Sequence, residues 1–258
     1  MNVAYNMDCL EAMRQMPDNA FDLAVVDPPY GDGLHAESGG GKGWFTKYNM
    51  SADESAYRKN GGGGVEPLRP AVRPLQVCRT GGQWAERYGK KIVAWDTAPE
   101  KEYFDELFRV SRNQIIWGGN YFELPPTRCF LIWRKLSITE NFSMAMAEYA
   151  WTSFNGNAKV FDCAPQGKKN DPRFHPTQKP VALYEWIYRL YAKPGDKILD
   201  THLGSGSSRI AAWRAGLDFV GYEIDETYFA LEEKRFAEQT VQMNIFQIGA
   251  EDEIRNGV

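Results

Sequence analysis

The sequence predicts an α/β protein built on a mostly parallel sheet, and three observations carry that expectation. Short runs with strand character end on an acid: Leu23–Val26 at Asp27, Lys197–Leu199 at Asp200, and Asp218–Tyr222 at Glu223. Stretches with apolar residues at helical spacing separate strands, as strand–helix–strand units require. A glycine turn, Gly204-Ser205-Gly206-Ser207, follows one of these runs and opens a helix. With 258 residues the chain can bury one sizeable core and still carry insertions.

In chain order, Asn2–Asn6 reads as a first strand, and Leu10, Met13 and Met16 at helical spacing follow before the turn signal Pro17-Asp18-Asn19. A right-handed crossover makes the strands at Asn2 and Leu23 parallel, which puts Asp8 on the same rim as Asp27. Asp8 is also placed to cap the first helix, and both roles are compatible. From Gly31 to Lys91 the pattern breaks into glycine and proline clusters, so 31–91 is read as an insertion in a single domain spanning 1–258. Its last third, Leu68–Lys91, carries six basic residues (Arg69, Arg73, Arg79, Arg87, Lys90, Lys91) against Glu86 alone, with Trp84 and Tyr88 among them. That mixture suits phosphates and unstacked bases, and equally a solvated loop.

Order returns at Ile92–Asp96, a short strand or turn, and continues in a helix to about Val110 with Tyr103, Phe104, Leu107 and Phe108 inward. Asn113–Trp117, Cys129–Trp133 and Met146–Trp151 read as strands, with Trp117, Trp133 and Trp151 in the core or a pocket wall. Ser153–Phe174 reads as a polar connection. It leads to His175-Pro176-Thr177-Gln178-Lys179-Pro180 and an amphipathic helix with Leu183, Trp186, Ile187, Leu190 and Tyr191 on one side, Thr177 being its expected N-cap. The tail from Ala237 is too polar to interpret.

Composition narrows the class. Hydrophobic content of 43% and charged content of 25% are those of a soluble globular protein. No apolar run reaches the ~18 residues of a membrane span, and Asn2-Val3-Ala4-Tyr5-Asn6-Met7 is not a basic and then apolar leader, so a cytoplasmic location is expected. Cys9, Cys78, Cys129 and Cys163 are scattered and do not pair with the histidines at ligand spacing, which predicts free thiols and no metal. The net charge of −4 argues against generic adhesion to nucleic acid.

Asp27-Pro28-Pro29-Tyr30 carries the chemistry. Two prolines stop the strand and stiffen the loop, leaving a carboxylate, a rigid carbonyl and an aromatic face within four residues at a strand's carboxyl end, where ligands of open α/β sheets bind. Two acceptors beside a ring suit a planar amine such as that of a nucleobase. A proline turn with a solvated Asp is the plain alternative. The glycine turn after Asp200 lets a ligand approach backbone, and Glu223 closes the next strand at the spacing of a ribose-binding acid. Arg209 occupies the third glycine position of a dinucleotide fingerprint and no Walker lysine occurs, so a nucleoside without phosphates, S-adenosylmethionine above all, fits better than a pyrophosphate.

Asp27–Tyr30, His175–Pro180 and Asp200-Thr201-His202-Leu203-Gly204-Ser205-Gly206-Ser207, in that order, resemble the motifs of β-class amino-group DNA methyltransferases from about Asp8 to Phe229. The resemblance implies a Rossmann-like S-adenosylmethionine-dependent methyltransferase fold, with a mostly parallel seven-stranded sheet and a circularly permuted motif order. It implies that Asp27, Pro28, Pro29 and Tyr30 surround a target base flipped out of DNA. It further implies that Asp200, Gly204, Ser205, Gly206 and Glu223 hold the cofactor's methionine and ribose, that Asp8 and Cys9 lie near its adenine with Asp27 bordering the same site, and that Thr177 and Lys179 lie near its carboxylate. Adenine is the expected target, because an initial Asp resembles the adenine enzymes. Cytosine, RNA or a protein acceptor, or a non-catalytic nucleic-acid-binding module, are the alternatives, and a restriction endonuclease is a possible partner. The family usually has Phe where this chain has His202, and the segment before His175 is too short for a recognition domain, which would shift recognition to 31–91.

Overall fold

The computed structural model describes residues 1–31, 97–139, 145–165 and 171–255, with side chains described up to Val241. It divides the chain into two units, Met1–Pro28 with Pro99–Thr139 and Met146–Val258, and Pro29–Ala98 with Glu140–Ala145. The insertion expected at 31–91 and the strand or turn expected at Ile92–Asp96 lie outside the described residues, except for Gly31.

Among its described residues the first unit forms one eight-stranded sheet: β1 (Asn2–Asn6), β2 (Leu23–Val26), β3 (Gln114–Trp117), β4 (Phe130–Arg134), β5 (Ala147–Thr152), β6 (Lys159–Asp162), β7 (Lys197–Asp200) and β8 (Asp218–Glu223). The spatial order is β1-β8-β7-β2-β3-β5-β4-β6. Every pairing is parallel except the two made by β5, so one strand runs against seven. The fold class read from the sequence is therefore the one observed. The strand count is corrected from seven to eight, because β6 forms inside the connection 153–174. Its alternation of Lys159, Val160, Phe161 and Asp162 offers the core a single aromatic ring, which stacks on Trp186 at 5.1 Å, and so short an edge strand has little apolar pattern to read.

Helices cover both faces, as a parallel sheet requires. Alternate residues of β2 enter opposite layers: Leu23 and Val25 pack with α3 (Val181–Tyr191) and α4 (Ser207–Arg214), Ala24 and Val26 with α1 (Cys9–Arg14) and α2 (Lys101–Val110). All four are buried, which is why the run is continuously apolar and not alternating. In α3 the inward stripe is Leu183, Tyr184, Ile187 and Tyr188. Leu190, expected inside, is exposed, since the helix faces the sheet with its i, i+4 tyrosines. Thr177 does not cap this helix. Pro180 holds the N-cap position without a side-chain bond, and the Thr177 hydroxyl turns to His175 Nδ1 at 3.1 Å.

The final helix, α5 (Glu226–Arg255), runs through the acidic tail. Its first turns send Glu232 and Arg235 into the interior, where Arg209 pairs with Glu232 at 2.9 Å and also with Glu233, and Arg235 grips Asp171 at 2.7 Å. The Arg209 that breaks the dinucleotide fingerprint is thus a buried link between α4 and α5. Among the described residues Cys9 and Cys129 carry free thiols; Cys78 lies outside them. Within the second unit, Gly31 (φ +61°) leaves room for Ala98, whose backbone nitrogen would lie 2.7 Å from a Cβ at this glycine.

Candidate active site

Parallel pairing of β2 with β7 and of β7 with β8 sets Asp27, Asp200 and Glu223 at the carboxyl ends of three adjacent strands. This is the rim where open α/β sheets bind ligands. Asp27 leaves β2 and is held by a buried ion pair with Lys179 Nζ. Pro28 follows it in the same unit, whereas Pro29 and Tyr30 belong to the second unit.

Lys179, expected near a cofactor carboxylate, has its ammonium on two acids: besides Asp27 it lies 3.2 Å from Glu148 of β5 and 5.4 Å from the centre of the Trp117 ring. Burial alone would push the lysine down, yet its two carboxylate neighbours hold it above its ordinary value. Burial likewise opposes ionisation of Glu148, and Lys179 and Lys135 bring that acid below its usual range. Sequence reasoning missed Glu148 and Lys135. The one available signal was an acid inside an otherwise apolar strand, a placement that calls for a partner.

The glycine turn, where a ligand is expected to approach the backbone, is also packed closely by the protein itself. Gly204 (φ +53°) and Gly206 (φ +71°) need the left-handed region, but the protein itself fills the gaps. A Cβ at Gly204 would sit 3.3 Å from the His175 ring, and one at Gly206 2.9 Å from Glu232 Cδ. Arg235 donates to the Ser205 carbonyl at 2.6 Å and to Ser207 Oγ at 3.0 Å, which fixes the turn from behind. His175 also packs against Tyr228, its ring 4.3 Å from the tyrosine's. Burial, with Arg173 and Lys179 nearby, drives its imidazole down to about 3, so it is neutral at ordinary pH.

Glu223 accepts the Gly204 N–H at 2.8 Å on one oxygen and the Asp225 N–H at 2.9 Å on the other. Two backbone donors fix the carboxylate plane, and each oxygen keeps a lone pair for a diol. Asp8 caps α1, accepting from Leu10 N–H at 2.7 Å and Glu11 N–H at 3.1 Å. The next residue, Cys9, is a thiol pushed up to about 12 chiefly by burial, so it is inert as a nucleophile. The Tyr103 hydroxyl bonds Thr201 Oγ1 at 2.6 Å, and that oxygen bonds His202 Nδ1 at 2.9 Å. His202 is driven down to about 4 by burial and stacks edge-on to Tyr103, a packing role at the position where the family usually has Phe.

Asp200 is pushed up to about 7 by burial, against hydrogen bonds from Ser208 Oγ and the His202 N–H that lower it. The folded chain thus holds this proton above the 3.8 at which the unfolded chain releases it. Where the native state binds more protons, stability falls as pH rises. Asp200→Asn keeps the His202 N–H on its amide oxygen and can donate its NH2 to Ser208 Oγ, and is expected to flatten the loss of stability between pH 4 and 7 by up to about 1.4 kcal/mol per pH unit. Urea titrations of both proteins across that range check it, and parallel pH profiles would contradict it.

A buried acid held above its usual range, a carboxylate that accepts two backbone N–H groups and a carboxylate paired with a buried lysine thus stand at the ends of three adjacent strands on one rim. The DNA methylase family of N6 and N4 amino-methyltransferases matches residues 83–234, and the chain belongs to that family. The Escherichia coli (strain K12) protein YubD is 26% identical over 255 residues, covering 95% of this chain and 94% of its own. The type II methyltransferase M2.MboI of Moraxella bovis is 24% identical over 253 residues, covering 92% of this chain and 88% of its own. Among solved structures, the PvuII DNA methyltransferase (cytosine-N4-specific) matches with a TM-score of 0.53 at 15% identity, over 92% of this chain and 86% of that one. Methylases of this family use S-adenosylmethionine. Among the described residues no group of His, Cys, Asp and Glu is placed to hold a metal ion, and no helix is long and apolar enough to cross a membrane.

Proposed function

We propose that this methylase transfers a methyl group to the exocyclic amino group of adenine at specific sites in DNA. The observation that carries the reading is the placement of Asp27, paired with Lys179, at the end of the strand beside the Asp200 glycine turn. An Asp here, where cytosine-directed relatives frequently have Ser, favours adenine.

The donor set on the rim fits S-adenosylmethionine. Glu223 would take the ribose hydroxyls, with Asp200, Gly204, Ser205 and Gly206 along the ribose and methionine, Asp8 and Cys9 at the adenine, and Thr177 and Lys179 toward the methionine end. When bound, this cofactor supplies a methyl group that is already electrophilic. The protein's task is the amine, whose lone pair is delocalised into the base. Asp27 and the Pro28 carbonyl accept its two hydrogens, which favours a tetrahedral nitrogen with its lone pair aimed at the methyl, and stabilises the positive charge that develops there. The base must leave the duplex at a cost of about a few kcal/mol; by the resemblance of the motif, Pro29 and Tyr30, next in the sequence, would supply a stiff turn and a ring whose stacking offsets part of it. DNA is the partner in this reading, and a restriction endonuclease with the same target site would be a natural companion.

Mass spectrometry of nucleosides from unmethylated DNA incubated with the protein and S-adenosylmethionine tests it, with RNA in parallel. N6-methyladenine in the DNA is the expected product. Methylated cytosine would overturn the choice of base, and methylation of RNA alone would overturn DNA as the substrate.

A further inference from the structure

Four charged side chains are joined by successive ion pairs: Asp27, Lys179, Glu148 and Lys135. Lys179 pairs with Asp27 and sits 3.2 Å from Glu148, and Glu148 is 2.5 Å from Lys135. The lysine side chains are 3% and 7% exposed, so neither is a surface ion pair weakened by solvent. Each ammonium also rests against an indole, Lys179 on Trp117 and Lys135 on Trp133, at 5.4 and 5.1 Å. Two negative and two positive charges make the row neutral as a whole, the condition for burying it at all.

The geometry points to Glu148 as a positioning residue that divides the Lys179 ammonium between itself and Asp27, with Lys135 holding Glu148 in place. The inference rests on the proposed methyl transfer. Asp27 has two demands on it: it must stay ionised, and it must still accept hydrogen bonds from an incoming amine. A lysine paired with Asp27 alone would meet the first demand and defeat the second, because a close ammonium withdraws electron density from the acceptor and fixes its plane. Glu148 competes for the same ammonium, and Lys135 sets how strongly it does so. β5 is the strand that runs against the rest, and its antiparallel register with β4 brings Glu148 opposite Trp133, two residues before Lys135.

Two measurements test this. Lysine-ammonium proton–nitrogen NMR of the wild-type protein should show slowly exchanging signals from Lys135 and Lys179, assigned with Lys135→Met, and Glu148→Gln should shift the Lys179 signal. Absence of a Lys179 signal in the wild type, or an unchanged one in Glu148→Gln, overturns the shared ammonium whatever the activity. Single-turnover methyl transfer at saturating donor and DNA should fall at least tenfold in Glu148→Gln, with the Kd for S-adenosylmethionine within threefold of wild type. The neutral double variant Lys135→Met/Glu148→Gln leaves no unpaired buried charge, so it decides the matter even if the single variant does not fold. A positioning role predicts that the double variant stays at least tenfold slow, whereas a wild-type rate in it would reduce Glu148 to a counterion for Lys135 and overturn the inference. A wild-type protein that shows the shared ammonium but methylates no DNA would instead overturn the proposed activity and leave the division of charge standing.

Discussion

Replacing Asp27 with Asn is expected to slow methyl transfer by a factor on the order of 10² to 10³, the range found when one preorganised electrostatic group is removed from a reacting centre. Asn preserves the shape of the side chain and one acceptor oxygen, so the loss isolates the charge. In the folded protein that charge faces Lys179, and its removal leaves the ammonium to Glu148. Breaking a buried pair from one side costs stability, about 3–5 kcal/mol when nothing replaces the lost partner, and less here because Glu148 takes over. Cofactor affinity should fall far less than the rate, since Glu223 and the glycine turn are held by partners other than Asp27. Single-turnover rates and equilibrium cofactor titrations separate the two effects. A variant that keeps the wild-type rate would remove Asp27 from the chemistry.

Gly206→Ala is expected to have the second large effect, on cofactor affinity and stability together. At φ +71° an L side chain costs about 1–2 kcal/mol, and its Cβ would also press on the Glu232 carboxyl, which is fully buried and tied to Arg209. Overpacking of that kind adds about 1–3 kcal/mol. Because Arg235 anchors the Ser205 carbonyl from the same helix, α5 cannot yield without moving the turn. The Kd for S-adenosylmethionine should rise by at least about tenfold, the equivalent of 1.4 kcal/mol. Gly216→Ala is the control: it has a similar φ of +67° but no atom within 4 Å of the new Cβ. It should carry the backbone cost alone and bind the cofactor as the wild type does. Equal losses of affinity in the two variants would show that backbone strain, and not the packing of α5 against the turn, is what matters.

What the sequence disclosed and what it concealed divide along one physical line. Asp27, Asp200 and Glu223 were legible because each ends its own short run, and the parallel arrangement of those runs then puts the acids on one rim. The glycine turn was legible for the same local reason. Glu148, Lys135, Glu232, Arg235 and Asp171 were not, because each acts through a partner that lies distant in the chain, and a charged residue in isolation reads as solvated surface. β6 went unseen because it buries one ring and pairs only at an edge. Thr177 misled because the Thr-x-x-Pro pattern of a helix start is also what a side chain bonded to His175 leaves behind.

Asp27 and the glycine turn are proposed to serve one site, and a crystal structure with S-adenosylmethionine bound shows whether they do. The ribose hydroxyls on Glu223, with the sulfonium methyl directed toward Asp27, is the result predicted. A cofactor seated away from Glu223, or with its methyl turned from Asp27, would contradict the account.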